Sequence, residues 1–567
     1  MLTPTRIRSL ITHRLAAAGA LSAGVLAGLG LALPGTAAAS HSQIAMIQDD
    51  GSLLANPSGT LAQMQALGAT TVRLEVFWND IAPRPGSTKQ PNFNAADPNA
   101  YPASGWAPYD AVVRDAAADG MTVDLVVAQG APRWAEGSGI PSNYEVSHNP
   151  SAKYFAWKPS AKDYGEFLQA MATRYDGKFA PAGGATLPRV HFWTLWNEPN
   201  FGEDLGPQAT DTSRISYAPM LYRNLVRAGY NALAKTGHRH DTILIGEFAA
   251  HGDALSMGRH GRTWPQGLPG NAAQTQPIPF VRTLYCLNQS GGKLGGAAAK
   301  QVGCPTTAKG RADFRTDNPG LFNASGVGDH PYANNATPRS DGKGNPDWST
   351  LPNLPKLESA LDHATSAWGS GKRYSIYNDE YGYITDPPQT NKDHAVPVAV
   401  AAKYINWAEY ITYNEPRVAS YDQYLLQDGA PNAETGNGGF ATGLYTSAGK
   451  PKATLSAYRL PLWLPSTTLR GPGRDKVWGE ARPAFWAGKA TKQTQSVEIQ
   501  FQAGGKGAWK TIDTVRSNGY FIVRPTFQQS GEVRLRYTYP SASADSLLPL
   551  GTAGTTIVSR AQPITVR

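Results

Sequence analysis

His191-Phe192-Trp193-Thr194-Leu195-Trp196-Asn197-Glu198-Pro199-Asn200 decides how the rest of the chain is read. Val190 to Leu195 are apolar or β-favouring with no turn residue among them, and Asn, Glu, Pro and Asn occur directly after. That is a buried strand delivering a carboxylate at its C-terminal end. Pro199 cannot donate to a ladder, so the strand stops there. A glutamate beside Trp196 at the lip of a buried strand has little water around it, and desolvation raises a carboxyl pKa towards the range a general acid needs.

Seven more segments on either side read as strands: Ile44 to Gln48, Thr71 to Phe77, Thr122 to Ala128, Thr242 to Gly246, Gly326 to His330, Tyr374 to Asn378 and Val418 to Leu425. Between them lie helical patterns at Thr60 to Leu67, Tyr109 to Ala118, Ala161 to Arg174, Tyr217 to Lys235, Leu354 to Trp368 and Val396 to Tyr413. Eightfold alternation of strand and helix predicts an α/β fold, a (β/α)8 barrel. The span to 462 exceeds the usual ~250 residues, and the excess falls in Gly-, Pro- and Asn-rich segments after the strands. Pro83 to Pro102 and Gln427 to Gly439 are examples, placed where a barrel builds its substrate face. From Trp463 apolar and polar residues alternate, as in Ser496 to Phe501, Trp509 to Val515, Tyr520 to Val523, Glu532 to Tyr539 and a last strand within Ser559 to Val566. No helical period is evident there, which predicts a C-terminal all-β, immunoglobulin-like sandwich of about 100 residues.

Residues 1–39 read as a secretory signal peptide. Arg6, Arg8 and Arg14 precede an apolar Ala, Leu, Gly and Val run that ends in Ala37-Ala38-Ala39. The expected division is therefore 1–39 signal, 40–462 catalytic barrel and 463–567 accessory sandwich, the last a brace rather than a glycan binder. Cleavage would remove three arginines and no acids, taking the formal charge from +9 to +6. With charged residues at 17% and no Lys/Arg block, neither a nucleic-acid stripe nor a polybasic membrane patch is indicated. No other segment is apolar enough to span a bilayer. The 14 Trp, 25 Tyr, 59 Gly and 43 Pro suit a loop-rich protein with aromatic faces on show. Cys286 and Cys304, the two cysteines of an exported chain, are expected to form one short-loop disulfide.

Asn197-Glu198-Pro199 resembles the acid/base motif of the clan A glycoside hydrolases, the eight-stranded barrels that include cellulase-like and β-xylosidase-like enzymes. The resemblance covers about residues 41 to 462. It implies that Glu198 is the proton donor and that Asn197 hydrogen-bonds the sugar 2-hydroxyl. The clan's nucleophile ends the seventh strand, here Tyr374 to Tyr383. Asp379 and Glu380 compete for that place, but neighbours on a strand point opposite ways, and the clan pattern favours Glu380. Arg73 stands where members carry an arginine that hydrogen-bonds the nucleophile. Gly328-Asp329-His330-Pro331-Tyr332 is similar to the clan's His-x-Tyr motif, which implies that His330 lines the donor-side subsite and Tyr332 orients the nucleophile.

Sugars present an apolar C–H face inside a hydroxyl rim, so aromatic platforms are sought near the strand ends. Trp78, Trp134, Trp196, Tyr381 and Tyr383 are placed to serve. The chain departs from the clan at the eighth strand, where many members have a Trp and this sequence has Tyr421-Asp422-Gln423-Tyr424. Glu247 and Glu75 are further strand carboxylates that could pair with Arg73 or bind substrate, Glu247 ranking first as a pocket residue and neither as catalytic.

The function expected is a secreted, monomeric, retaining glycosidase acting on a poly- or oligosaccharide, with no cofactor. His238 and His240 are not at ligand spacing and no His-Glu-x-x-His occurs, so no catalytic metal is expected. The rivals are a non-catalytic glycan-binding barrel, an inverting hydrolase and a transglycosylase using the same pair of glutamates.

Overall fold

The computed structural model describes residues 43–567 except 129, 141–155, 210–215, 253–273, 343, 392–393, 431–439, 542–547 and 549–550. The expected signal segment and the end of the Gln427 to Gly439 loop lie outside the described residues. Eight strands form the barrel: β1 Ile44–Gln48, β2 Thr71–Phe77, β3 Thr122–Ala128, β4 Phe192–Leu195, β5 Thr242–Ala249, β6 Gly326–His330, β7 Ser375–Asn378 and β8 Val418–Tyr424. They close in the order β1-β8-β7-β6-β5-β4-β3-β2, every pair parallel. The (β/α)8 barrel expected from the alternation is therefore the fold.

Parallel strands covered on both faces read as near-continuous apolar runs, which is why β1, β2, β3 and β6 have the bounds their sequences predict. β7 and β8 each differ from expectation by one residue at an end, and two strands differ more, for local reasons. β4 begins at Phe192 because the Val190 amide leaves the ladder and donates to the Tyr175 carbonyl at 3.0 Å. β5 runs past Gly246 to Ala249 through a bulge, where the register with β6 shifts between Gly246 and Phe248. Gly246 (φ +102°) and Glu247 (φ +52°) make that kink.

The main outer helices are α1 Pro57–Ala66, α2 Ala103–Asp119, α3 Ala161–Arg174, α4 Ala218–Lys235, α5 Pro277–Leu284, α6 Leu354–Ala367, α7 Val398–Tyr413 and α8 Ala453–Arg459. α3 is representative. Ser160 caps it through its hydroxyl on the Asp163 amide, and Tyr164, Phe167, Leu168 and Met171 recur at helical spacing on its buried face. Burying each such side chain contributes roughly 1.5–3 kcal/mol. The Cys286–Cys304 disulfide is present, in the segment after α5. Among the described residues no helix is long and apolar enough to cross a membrane.

The C-terminal region is built of mainly antiparallel sheets, with one parallel edge pair, Thr468–Leu469 beside Gln562–Val566. β9 Leu462–Trp463, β10 Val477–Glu480 and β13 Tyr520–Val523 form one, in the order β9-β10-β13. β11 Ser496–Ala503, β12 Lys510–Arg516, β14 Gly531–Thr538 and β15 Gln562–Val566 belong to a second, larger one, with β14 between β11 and β15. Val497, Ile499, Val533 and Leu535 fill its core. Contrary to the expectation of no helix beyond Trp463, α9 spans Ala484–Thr491 between β10 and β11. It exists to dock: Trp486 is buried and its indole N–H donates to the Ala69 carbonyl at 2.9 Å. Arg482, fully buried beside it, binds Glu409 of α7 at 2.5 Å, Glu480 at 3.1 Å and the Tyr458 carbonyl at 2.9 Å.

Candidate active site

The C-terminal ends of the strands open on a cleft of about 780 Å³. After Leu195 the backbone leaves the extended form, and Trp196 (φ +78°) and Glu198 (φ +34°) are left-handed. Such positions cost about 1–3 kcal/mol each and persist where the surroundings over-determine them. Here the Trp196 amide donates to the Val127 carbonyl at 3.1 Å and its indole to the Asp204 carbonyl at 3.2 Å. Asn200 bonds the Ala249 and Thr275 carbonyls at 2.9 and 2.8 Å. The turn lets Asn197 and Glu198, adjacent in sequence, both face the cleft.

At the end of β7 the chain stays extended enough to separate its two acids. Glu380 lines the cleft, whereas Asp379 is fully buried behind it and accepts the Asp329 amide at 3.1 Å. Gly328 makes the room: a Cβ there would stand 2.2 Å from Asp379 Oδ2. Across the cleft, one carboxylate oxygen of Glu198 and one of Glu380 lie within 4.8 Å of each other. His330 Nδ1 sits between them, 2.9 Å from Glu198 Oε1 and 3.5 Å from Glu380 Oε2. The Tyr332 hydroxyl donates to Glu380 Oε2 at 3.0 Å.

Arg73 closes the floor. Its guanidinium is fully buried and donates to Glu380 Oε1 (3.1 Å), Asn197 Oδ1 (2.8 Å), Glu75 Oε1 (3.3 Å) and both oxygens of Glu247 (3.2 and 2.6 Å), as well as to Gln48. Arg73 therefore holds the groups that face the cleft and does not reach it.

Burial sets the electrostatics. It raises the Glu380 pKa, an effect His330 and Arg73 oppose. Burial would lower the His330 pKa, yet Glu380, Glu198 and Asp379 together push it up to about 10. Burial pushes Asp124 in β3 up to about 8 and drives Asp422 in β8 upward too. The barrel mouth thus holds many carboxyls around one guanidinium and one imidazolium. Glu198, His330 and Glu380 have ligand atoms close enough to hold a metal ion, as do Glu247, His330 and Asp379.

Of the residues singled out in the sequence, the structure brings together Glu198, Glu380, Asn197, Arg73, His330 and Tyr332. It does not bring the proposed platforms to the cleft. Trp78 is fully buried and stacks on Phe167 at 5.6 Å; Trp134 packs edge-on against Trp78 at 5.9 Å. Trp196 is buried too, Tyr381 stacks behind Tyr332 at 6.0 Å, and Tyr383 hydrogen-bonds Tyr381 at 3.1 Å. The aromatics that do line the cleft include Tyr424, at the strand where the sequence departs from the clan, and Phe440, which is 44% exposed. The ranking of Glu247 over Glu75 is also reversed. Glu247 is sealed against Arg73, while Glu75 lines the cleft. The signal was in the sequence: Glu75 is two residues beyond inward-pointing Arg73, hence on the same face and nearer the mouth.

Solved structures similar to this chain are glycoside hydrolases. A family 39 glycoside hydrolase from Bacteroides cellulosilyticus WH2 has 15% identity and a TM-score of 0.43, covering 85% of this chain and 79% of its own. A glucosidase from Croceicoccus marinus has 10% identity and a TM-score of 0.43, covering 87% and 94%. A family 1 β-glucosidase from Thermotoga maritima has 13% identity and a TM-score of 0.39, covering 70% or more of each (71% and 85%). No protein-family model and no curated protein matches the chain. At these identities the likeness lies in the fold, and the site stands on its own geometry.

Proposed function

We propose that this protein is a retaining glycoside hydrolase with Glu198 as acid/base and Glu380 as nucleophile. The observation that carries the reading is the approach of the two carboxylates to within 4.8 Å across the cleft. Retaining enzymes hold the pair about 5–5.5 Å apart, whereas inverting enzymes need about 6.5–9.5 Å to seat a water between acid and base. Glu380 attacks the anomeric carbon while Glu198 gives its proton to the leaving oxygen. Water then enters where the leaving group was, Glu198 takes its proton, and the hydroxide releases the sugar from Glu380. Arg73, Tyr332 and the His330 cation favour the ionised form of Glu380, which is the form that attacks.

The substrate in this reading is a poly- or oligosaccharide met outside the cytoplasm by a monomeric enzyme, with the C-terminal sheets, from about residue 463, bracing the barrel. The disulfide supports an oxidising compartment, and the Trp486 and Arg482 contacts support the brace. A panel of aryl glycosides run against the wild type, Glu198→Gln and Glu380→Gln tests the assignment. One or more substrates should turn over, with each variant slower by about a hundredfold or more. Turnover that survives both substitutions would refute it.

A further inference from the structure

Three large apolar side chains are well exposed among the described residues, Phe440, Phe485 and Ile522, and of these Phe440 alone lines the cleft. A single exposed phenylalanine is ordinary on a protein surface. This one is set apart by what holds it and by what it touches.

The chain directly after Phe440 is fixed residue by residue. The Thr442 amide donates back to the Phe440 carbonyl at 2.9 Å. The Ala441 carbonyl accepts from the Thr385 amide and hydroxyl, both at 3.0 Å, and from Lys452 Nζ at 3.2 Å. Gln423 donates to the Thr442 carbonyl at 2.9 Å, and the Gly443 amide donates to Asp428 at 2.8 Å. Lys452 and Asp428 are themselves a buried ion pair at 2.9 Å. Such a pair adds little net stability; what it holds here is the position of the segment that begins at Phe440. An exposed ring on an anchored backbone loses little freedom when a ligand covers it.

Its neighbours place the ring in the site. Phe440 meets Tyr424 edge-on at 5.4 Å and Tyr332 edge-on at 5.8 Å, and the Tyr332 hydroxyl is the one bonded to Glu380. In the closed barrel β8 stands four strands from β4 in either direction. Tyr424 at the end of β8, and Phe440 beside it, are therefore on the wall opposite the one that carries Glu198. The acid/base must reach the leaving oxygen, so the leaving group lies on the Glu198 side. The sugar attacked by Glu380 extends towards the opposite wall.

Building on the glycosidase reading, we propose that Phe440 is the platform for the sugar unit attacked by Glu380, taking the apolar C–H face of a pyranose on its ring. It determines specificity and takes no part in proton transfer or bond breaking. The platform thus comes from the loop after β8, in a chain whose β8 lacks the tryptophan that many clan members have there.

The test separates binding from turnover. Methyl glycosides of glucose, xylose, mannose and galactose, in both anomers, are titrated into Glu198→Gln protein and followed by proton NMR, with and without Phe440→Ala. A methyl group leaves nothing to stack except the attacked sugar. At least one of them should bind, and Phe440→Ala should weaken it about three- to tenfold, the scale of an aromatic contact. Phe440→Trp should restore binding and Phe440→Leu should not. Because the ring is exposed, Phe440→Ala should leave Tm unchanged. It should also leave the acid limb of the kcat/KM–pH profile in place, since Tyr332 keeps its hydroxyl on Glu380 and its stack on Tyr381. Failure of every methyl glycoside to bind, or binding that Phe440→Ala does not change, overturns the proposal. A loss confined to longer oligosaccharides would put the ring under the leaving group and overturn it too. A moved acid limb, or rescue by Phe440→Leu, would make Phe440 a mere support for Tyr332 and refute the platform. Aryl glycosides that turn over while methyl glycoside binding ignores Phe440 sink this proposal alone; binding that depends on Phe440 with no turnover of any glycoside sinks the hydrolase instead.

Discussion

Replacing Tyr332 by Phe removes one hydroxyl and leaves the ring. The ring stays seated because it stacks on Tyr381 at 6.0 Å and meets Phe440 edge-on at 5.8 Å. What is lost is the 3.0 Å donation to Glu380 Oε2. Oε1 keeps Arg73 at 3.1 Å, but the next donor to Oε2 is His330 Nδ1 at 3.5 Å, at the edge of hydrogen-bond range and already engaged with Glu198 at 2.9 Å. A hydrogen bond to a charged group contributes about 1.5–3 kcal/mol, or roughly a tenfold to hundredfold change in an equilibrium. The donor favours the ionised carboxylate, so its removal adds to the upward push that burial already gives Glu380. The expected result is that the acid limb of the kcat/KM–pH profile moves to higher pH. Below that limb activity should fall by about ten- to a hundredfold, and it should recover substantially as pH rises. Stopped assays with an aryl glycoside across pH read both. An unmoved limb with kcat/KM within about twofold of wild type, against the tenfold expected, would refute the role given to Tyr332.

The brace makes its own predictions. In Gly68→Ala the new Cβ would stand 2.4 Å from the Arg482 carbonyl carbon at φ +91°; left-handed strain and overpacking together should lower stability by about 2–5 kcal/mol in denaturant unfolding. Burial pushes Glu480 up to about 8 from 4.5, against Arg482 and with Glu409. Its folded form holds a proton that the unfolded chain gives up, so this contribution is intact below about pH 4.5 and is lost as pH rises towards 8. Glu480→Gln should accordingly gain in Tm relative to wild type between pH 5 and 8; a constant difference would contradict the assignment. Trp486→Ala, which empties a buried aromatic site where α9 docks, should cost about 3–5 kcal/mol; a change within experimental error would show that α9 does not hold the barrel.

The barrel was legible because its strands are buried on both faces, so Thr71 to Phe77 or Thr122 to Ala128 stand out against turn-rich neighbours. Glu198 was legible for the same reason, as a carboxylate stranded between an apolar run and a proline. Strand alternation allowed only one of Asp379 and Glu380 to face the cleft, and the resemblance to the clan pattern favoured Glu380, the one that lines it. Side-chain direction past the strand ends was not legible. Trp78 follows β2 directly but enters the short helix Trp78–Ile81, which turns its indole into the packing of α3. Glu247 is set by the β5 bulge, whose only sequence trace is Gly246. α9 is two turns long and owes its place to the barrel surface under Trp486, a tertiary cause with no local period. Asp204 lies in a loop without a motif, and its contact with Asn197, at 3.4 Å, is reached only through the fold.

The account rests on two carboxylates close enough to form and break a covalent glycosyl-enzyme. The most direct measurement is the anomeric configuration of the first sugar released, followed by proton NMR from the moment wild-type enzyme is added to an aryl glycoside of known anomer. The account predicts that the sugar appears first with the configuration of the substrate and mutarotates afterwards. Initial appearance of the opposite anomer would contradict it.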